Sequence, residues 1–273
     1  MTNDKNRLIE AFASLRAAGK QTLLPFITAG FPDLGATEAL LMEFQRRGVK
    51  VCELGIPFSD PIADGPVIQA SYTQALAAGV ATAGIFGMVR RYRAAGGTMA
   101  LAAMVSYSIV FRHGVKEYLQ QAHDAGFDAT IIPDLPLDEA GNIGPLAQAV
   151  GLANVMLISP TTPEARRLEI ARRSRGFIYY MSVSGITGER DRLPAATIEA
   201  VSELRRHTQT PVCVGFGISN ARTVAEVCKA ADGAIVGSAI VHRITNAIKD
   251  GLSSEAMVKQ LGDFVSELLA PVK

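Results

Sequence analysis

Eight short apolar runs, separated by longer amphipathic stretches with no linker or low-complexity break, run the length of this chain, and that alternation limits what it can fold into. The runs lie at 23–28, 49–54, 99–105, 129–133, 154–158, 176–181, 211–215 and 233–236. Between them, apolar residues recur at helical spacing near 35–45, 67–78, 82–94, 115–125, 143–150, 164–173, 195–206 and 220–229. Several of these segments stop at glycine, as a helix C-cap does. Strands covered by helices on both faces read as unbroken apolar runs, and such strands are parallel. Eight strand–helix units within 273 residues predict a closed (β/α)8 barrel of the TIM type, an α/β fold in a single domain spanning 1–273. An open doubly wound sheet is disfavoured, because Thr28-Ala-Gly-Phe-Pro32 follows the first run where a Gly-rich dinucleotide turn would stand. The amphipathic segments 6–15 and 255–269 fall outside the repeat and predict extra N-terminal and C-terminal helices, the first capping the bottom of the barrel.

The second run carries a charge where a strand interior spends apolar side chains. Glu53 sits inside it, and Pro57, Asp60, Pro61, Asp64 and Pro66 crowd the residues that follow. Prolines stop the strand and the aspartates supply turn chemistry, so a rigid loop hangs from the carboxyl end of a strand bearing a carboxylate, where parallel α/β folds place catalysis. Taken singly, these residues have plainer readings: Glu53 pairs with a basic residue on a neighbouring strand, and Asp60 and Asp64 make Asx turns.

Two glycine turns, Gly215-Phe-Gly-Ile-Ser219 after the seventh run and Val236-Gly-Ser-Ala-Ile240 after the eighth, stand where barrels bind phosphate. Glycines let backbone N–H groups approach an anion, and a helix N-terminus adds partial positive charge beside the Ser238 hydroxyl. Either turn alone also reads as a strand-to-helix connection with a serine N-cap. After the sixth run, 184–192 is small, polar and then charged, which fits a lid over a site that excludes water or a plain surface loop.

Lys and Arg total 27 against 26 Asp and Glu, so no basic field exists to hold nucleic acid or an anionic membrane. No apolar run approaches the roughly 18 residues of a membrane span, and the polar first residues do not read as a secretory signal, so a cytoplasmic location is expected. Cys52, Cys213 and Cys228 are odd in number and widely spaced, which suits reduced thiols; Cys52 and Cys213 fall in apolar runs and are expected in the core. The four histidines, 113, 123, 207 and 242, show no metal-ligand spacing and are expected on loops or helix surfaces.

The string from Glu53 to Pro66, Glu-Leu-Gly-Ile-Pro-Phe-Ser-Asp-Pro-Ile-Ala-Asp-Gly-Pro, resembles the signature of the tryptophan synthase alpha family. Pro25–Gly30, Asp128–Pro136, Ser184–Gly188, Gly215–Ser219 and Gly237–Val241 resemble its remaining blocks in the same order, so the resemblance covers essentially the whole chain. It implies a lyase of tryptophan biosynthesis that cleaves indole-3-glycerol phosphate to indole and glyceraldehyde 3-phosphate. By the same resemblance Glu53 is the general acid/base and Asp64 accepts a hydrogen bond from the indole N–H. Tyr179, Phe26 and Thr28 match residues lining the substrate pocket, Thr187 matches a lid residue that closes against Asp64, and Gly188, Gly217, Gly237 and Ser238 match the phosphate site. Tyr179 also reads as a core tyrosine with a satisfied hydroxyl. The implied partner is a beta subunit in an α2β2 heterotetramer; it holds pyridoxal phosphate, and no cofactor is expected in this chain.

One block departs from the family pattern. After the third run many members carry a Tyr-Asn element, whereas this chain reads Met104-Val-Ser-Tyr-Ser-Ile-Val-Phe111, with Ser108 where Asn is usual. Since that block lies near the indole pocket and the partner surface in the family, a stand-alone indole-releasing lyase stays open as a variant. A barrel that only binds a phosphate ligand is the remaining alternative, and it would have no need of Glu53 and Asp64.

Overall fold

The computed structural model describes residues 6–61, 64–182, 195–215 and 217–272. Its strands are β1 (Thr22–Thr28), β2 (Val51–Gly55), β3 (Ala100–Met104), β4 (Ala129–Ile131), β5 (Ala153–Ile158), β6 (Ile178–Met181), β7 (Val212–Gly215) and β8 (Gly233–Val236). They are parallel and close into a barrel in chain order, with β1 pairing both β2 and β8. The predicted barrel is therefore the observed one. Five strands are shorter than their apolar runs by one or two residues, because flanking residues belong to loops; β1 and β5 each begin one residue earlier than their runs, and β8 coincides with its run.

Around the barrel lie α2 (Leu34–Arg47), α3 (Pro66–Ala77), α4 (Thr82–Ala94), α6 (Val115–Ala125), α7 (Leu137–Ala149), α8 (Glu164–Arg173), α9 (Ala195–His207), α10 (Ala221–Cys228) and α11 (Ser238–Lys249). The helix α2 ends on Gly48 and α6 on Gly126, both left-handed, where a side chain would be strained. Outside the repeat stand α1 (Arg7–Ala17), the short α5 (Tyr107–His113) and α12 (Ser254–Leu269). Two of these are the expected terminal helices; α5 has no counterpart in the sequence pattern. The helix α7 begins six residues earlier than its apolar periodicity, since Gly141, Gly144 and Pro145 obscure a helix that tolerates all three.

The bottom of the barrel is closed by α1. Asn6 caps that helix and donates through Nδ2 to the carbonyls of Asp128 (2.7 Å) and Gly151 (2.8 Å), just before β4 and β5. The buried Asp128 carboxylate accepts from Arg7 (3.0 Å), Arg93 (2.9 Å) and the Leu101 amide (2.9 Å), tying α1, α4 and β3 together. Removing one partner of a buried ion pair leaves the other uncompensated. Asp128→Ala is accordingly expected to cost about 3–5 kcal/mol of folding stability in urea unfolding, with substrate binding by the folded fraction unchanged. A loss below about 1 kcal/mol would show that Arg93 finds adequate carbonyl partners without it.

All three cysteines are buried and free, and the four histidines are exposed. Among the described residues no single helix is long and apolar enough to cross a membrane.

Candidate active site

The strand register sets Phe26 of β1 beside Glu53 of β2, and Glu53 beside Ala102 of β3. Every residue of β3 is small except Leu101 and Met104, which leaves room inside the barrel next to Glu53. The Glu53 side chain is fully buried, and neither carboxylate oxygen has a hydrogen-bond partner. A pairing with a basic residue on a neighbouring strand is thus excluded. Burial without a partner holds its pKa well above the usual carboxylate range.

Beyond β2 the chain turns through a loop to α3, which starts at Pro66, the favoured first helical position for proline. The loop is fastened to that helix by Gln69, whose Nε2 donates to the carbonyls of Pro61 (3.2 Å) and Asp64 (2.8 Å). Asp60 accepts from Ser59 (2.5 Å). The Asp64 carboxyl lines an open cleft of about 360 Å³ with Ile56, Phe58, Tyr72, Met104 and Pro133, and burial raises its pKa to about 6.

Two glycines at strand ends make room for aromatic side chains beside them. A Cβ on Gly215 would overlap the Tyr179 ring and hydroxyl, and one on Gly55 would overlap Phe26 and lie 2.6 Å from the Tyr72 hydroxyl. Burial, and then the negative charges of Glu53 and Asp64, push the Tyr179 phenol well above its ordinary pKa, so it stays protonated. Thr28 is placed differently from an open pocket residue: it is fully buried and its hydroxyl is 2.6 Å from Ser71 Oγ, tying β1 to α3.

The two glycine turns differ in what they leave unsatisfied. At α10, Asn220 and Thr223 form a reciprocal capping box, so that helix satisfies its own first turn. No side chain caps α11, which starts at Ser238 behind Gly237; its Ile240 and Val241 amides donate to the Gly237 carbonyl, and among the described residues no side chain takes up the amides before them. Gly237 packs against Phe26, 3.4 Å from a Cβ position to Cδ1, and Gly217 takes a left-handed φ of 83°. Thr187, Gly188 and the rest of the 184–192 segment lie outside the described residues.

The departing block folds into α5. Ser106 caps it, accepting from the Ser108 amide (3.2 Å) and donating to Asp134 (2.7 Å), which also accepts from the Tyr107 amide (2.7 Å). Ser108 faces solvent, and Phe111, 69% exposed, projects from the same short helix. Sequence reasoning also missed Tyr72: its spacing from Ile68 and Ala75 reads as an ordinary core stripe, and nothing local marks it.

Residues 12–270 match the family model for the tryptophan synthase alpha chain. The tryptophan synthase alpha chain of Rhodopirellula baltica is 42% identical, over 94% of this chain and 95% of its own length. The crystal structure of tryptophan synthase subunit alpha from Legionella pneumophila superposes with a TM-score of 0.88 at 33% identity, covering 98% of both chains. A tryptophan synthase complex from Pyrococcus furiosus contains a chain that superposes with a TM-score of 0.82 at 33% identity, covering 91% of this chain and 98% of that one. A match of that extent, in sequence and in barrel geometry alike, means that the chain belongs to the tryptophan synthase alpha chain family.

Proposed function

We propose that this chain cleaves indole-3-glycerol phosphate to indole and glyceraldehyde 3-phosphate, with Glu53 and Asp64 as its catalytic pair. The observation that carries the reading is Glu53: a buried carboxylate with no partner is costly to keep, and a proton-transfer role gives it a purpose. Its raised pKa lets it start protonated. Glu53 gives that proton to indole C3, and the positive charge that develops on the indole nitrogen is stabilised by ionised Asp64. The Glu53 carboxylate then takes the proton of the side-chain hydroxyl; the carbon–carbon bond breaks, its electrons return to the indole ring, and the aldehyde is released. Glu53 ends as it began. The substrate phosphate is held by the glycine turn at Gly217 and by Gly237 and Ser238 at the uncapped start of α11, with Phe26 and Tyr179 along the pocket. Thr187 and Gly188 belong to the same reading as lid and phosphate contacts.

A beta subunit is the proposed partner, receiving the indole within an α2β2 complex. The exposed Phe111, its ring tilted 58° to that of Tyr107 at a centroid distance of 6.0 Å, is an apolar group on the helix whose cap, Ser106, lines the cleft, and it supports such docking. Indole release from indole-3-glycerol phosphate, measured with and without the beta subunit of the same source, tests both parts. Activation by the beta subunit is expected, and Phe111→Asp is expected to weaken its binding roughly tenfold or more while basal turnover stays as in wild type. Full activity that a beta subunit does not change would identify the stand-alone variant, and no indole release under either condition would defeat the lyase reading.

A further inference from the structure

The helix α3 does more than follow the Asp64 loop. Its rotation is fixed by Ser71, whose hydroxyl is 2.6 Å from Thr28 Oγ1 and 2.7 Å from the Ile68 carbonyl. The next residue, Tyr72, is buried, and its ring lines the cleft with Asp64 and Met104. Its hydroxyl approaches the strand end two residues beyond Glu53, and only the absence of a side chain at Gly55 admits it. No hydrogen bond to another described residue occupies that hydroxyl, and Tyr72 lines the cleft together with Asp64.

Two charges act on the phenol, first Asp64 and then Glu53; none comes from β1 or α11, the elements packed on α3. Tyr179 faces the same two carboxylates from β6, and Asp60 and Asp134 line the cleft farther along. Burial and both negative charges oppose loss of the Tyr72 proton, so the group is a hydrogen-bond donor among acceptors. Asp64 is the acceptor that shares its framework, because Gln69 ties the Asp64 backbone to the first turns of the same helix.

We propose that Tyr72 is a positioning residue of this site, donating its hydroxyl hydrogen to the Asp64 carboxylate and holding it toward the indole nitrogen during cleavage. The proposal rests on the role given to Asp64 above. A donor to the charged form favours ionisation, opposing the burial that has raised Asp64 to about 6. Losing the donor therefore returns that pKa toward the value burial alone sets, so less of the carboxylate is ionised on the acid side of neutral pH.

The test is Tyr72→Phe, which keeps the ring and removes only the hydroxyl, assayed for indole release at pH values on both sides of 6. Expected are an unchanged Tm, an acid limb displaced to higher pH, and a loss of kcat/KM that approaches about tenfold on that limb and fades toward neutral and higher pH. In an Asp64→Asn background the same substitution should have little further effect, since the two act as a unit. A purely structural tyrosine would lower activity equally at every pH and leave the acid limb in place. That outcome, or wild-type kinetics, overturns the proposal. Wild-type turnover in Asp64→Asn alone overturns the role of Asp64 as well, whereas a crippled Asp64→Asn with an unmoved limb in Tyr72→Phe overturns only this one.

Discussion

Glu53→Gln is expected to lower turnover by about 10²–10⁴-fold while making the folded chain more stable at pH 8. The amide keeps the size of the side chain but exchanges no proton, so the loss falls on kcat with substrate affinity little changed. The stability gain follows from burial. Because desolvation raises Glu53 in the fold above its unfolded value, the stability linked to its protonation is fully present below about pH 4 and is lost as pH rises through the folded pKa. Glutamine has no such loss. Its advantage should therefore be absent near pH 4 and grow toward pH 8, as read from urea midpoints at the two values. Near-normal turnover would remove Glu53 from its proposed role, and a mutant less stable than wild type at pH 8 would mean that the carboxylate has a stabilising partner.

Gly217→Val is expected to weaken binding of glyceraldehyde 3-phosphate by roughly 10²-fold, about two charge-assisted hydrogen bonds, with much less effect on the barrel. Valine cannot adopt the left-handed φ of 83° without strain, and its branched Cβ would stand in the backbone cradle proposed for the anion. The dephosphorylated analogue is the control, because it should bind wild type and mutant about equally poorly. Isothermal titration with both ligands separates the cases: equal losses for the two would show damage to the barrel rather than to an anion site.

The parts of the fold that rest on local pattern were legible in advance. Near-continuous apolar runs such as Val51–Leu54 are what a strand covered on both faces requires, and their eightfold alternation with helices leaves few ways to close a sheet. The Asn6–Leu15 amphipathic stretch was legible as a helix for the same reason. The helix α5 was not, because seven residues are too few to show a period and it is held by Asp134 from the next strand's loop. The start of α7 was hidden by Pro145 and two glycines, which tertiary packing overrides.

The candidate site divides the same way. Sequence by itself determined that a carboxylate sits in strand two and that a proline-stiffened acidic loop follows it, because those are properties of neighbouring residues along the chain. Only the tertiary structure decided that Glu53 is buried with no partner, that Thr28 spends its hydroxyl on Ser71, and that Tyr72 packs beside Gly55 in the cleft it shares with Asp64. Burial, pairing and the pKa shifts they cause depend on what the other strands and helices bring to the same point in space, and no local pattern carries that information.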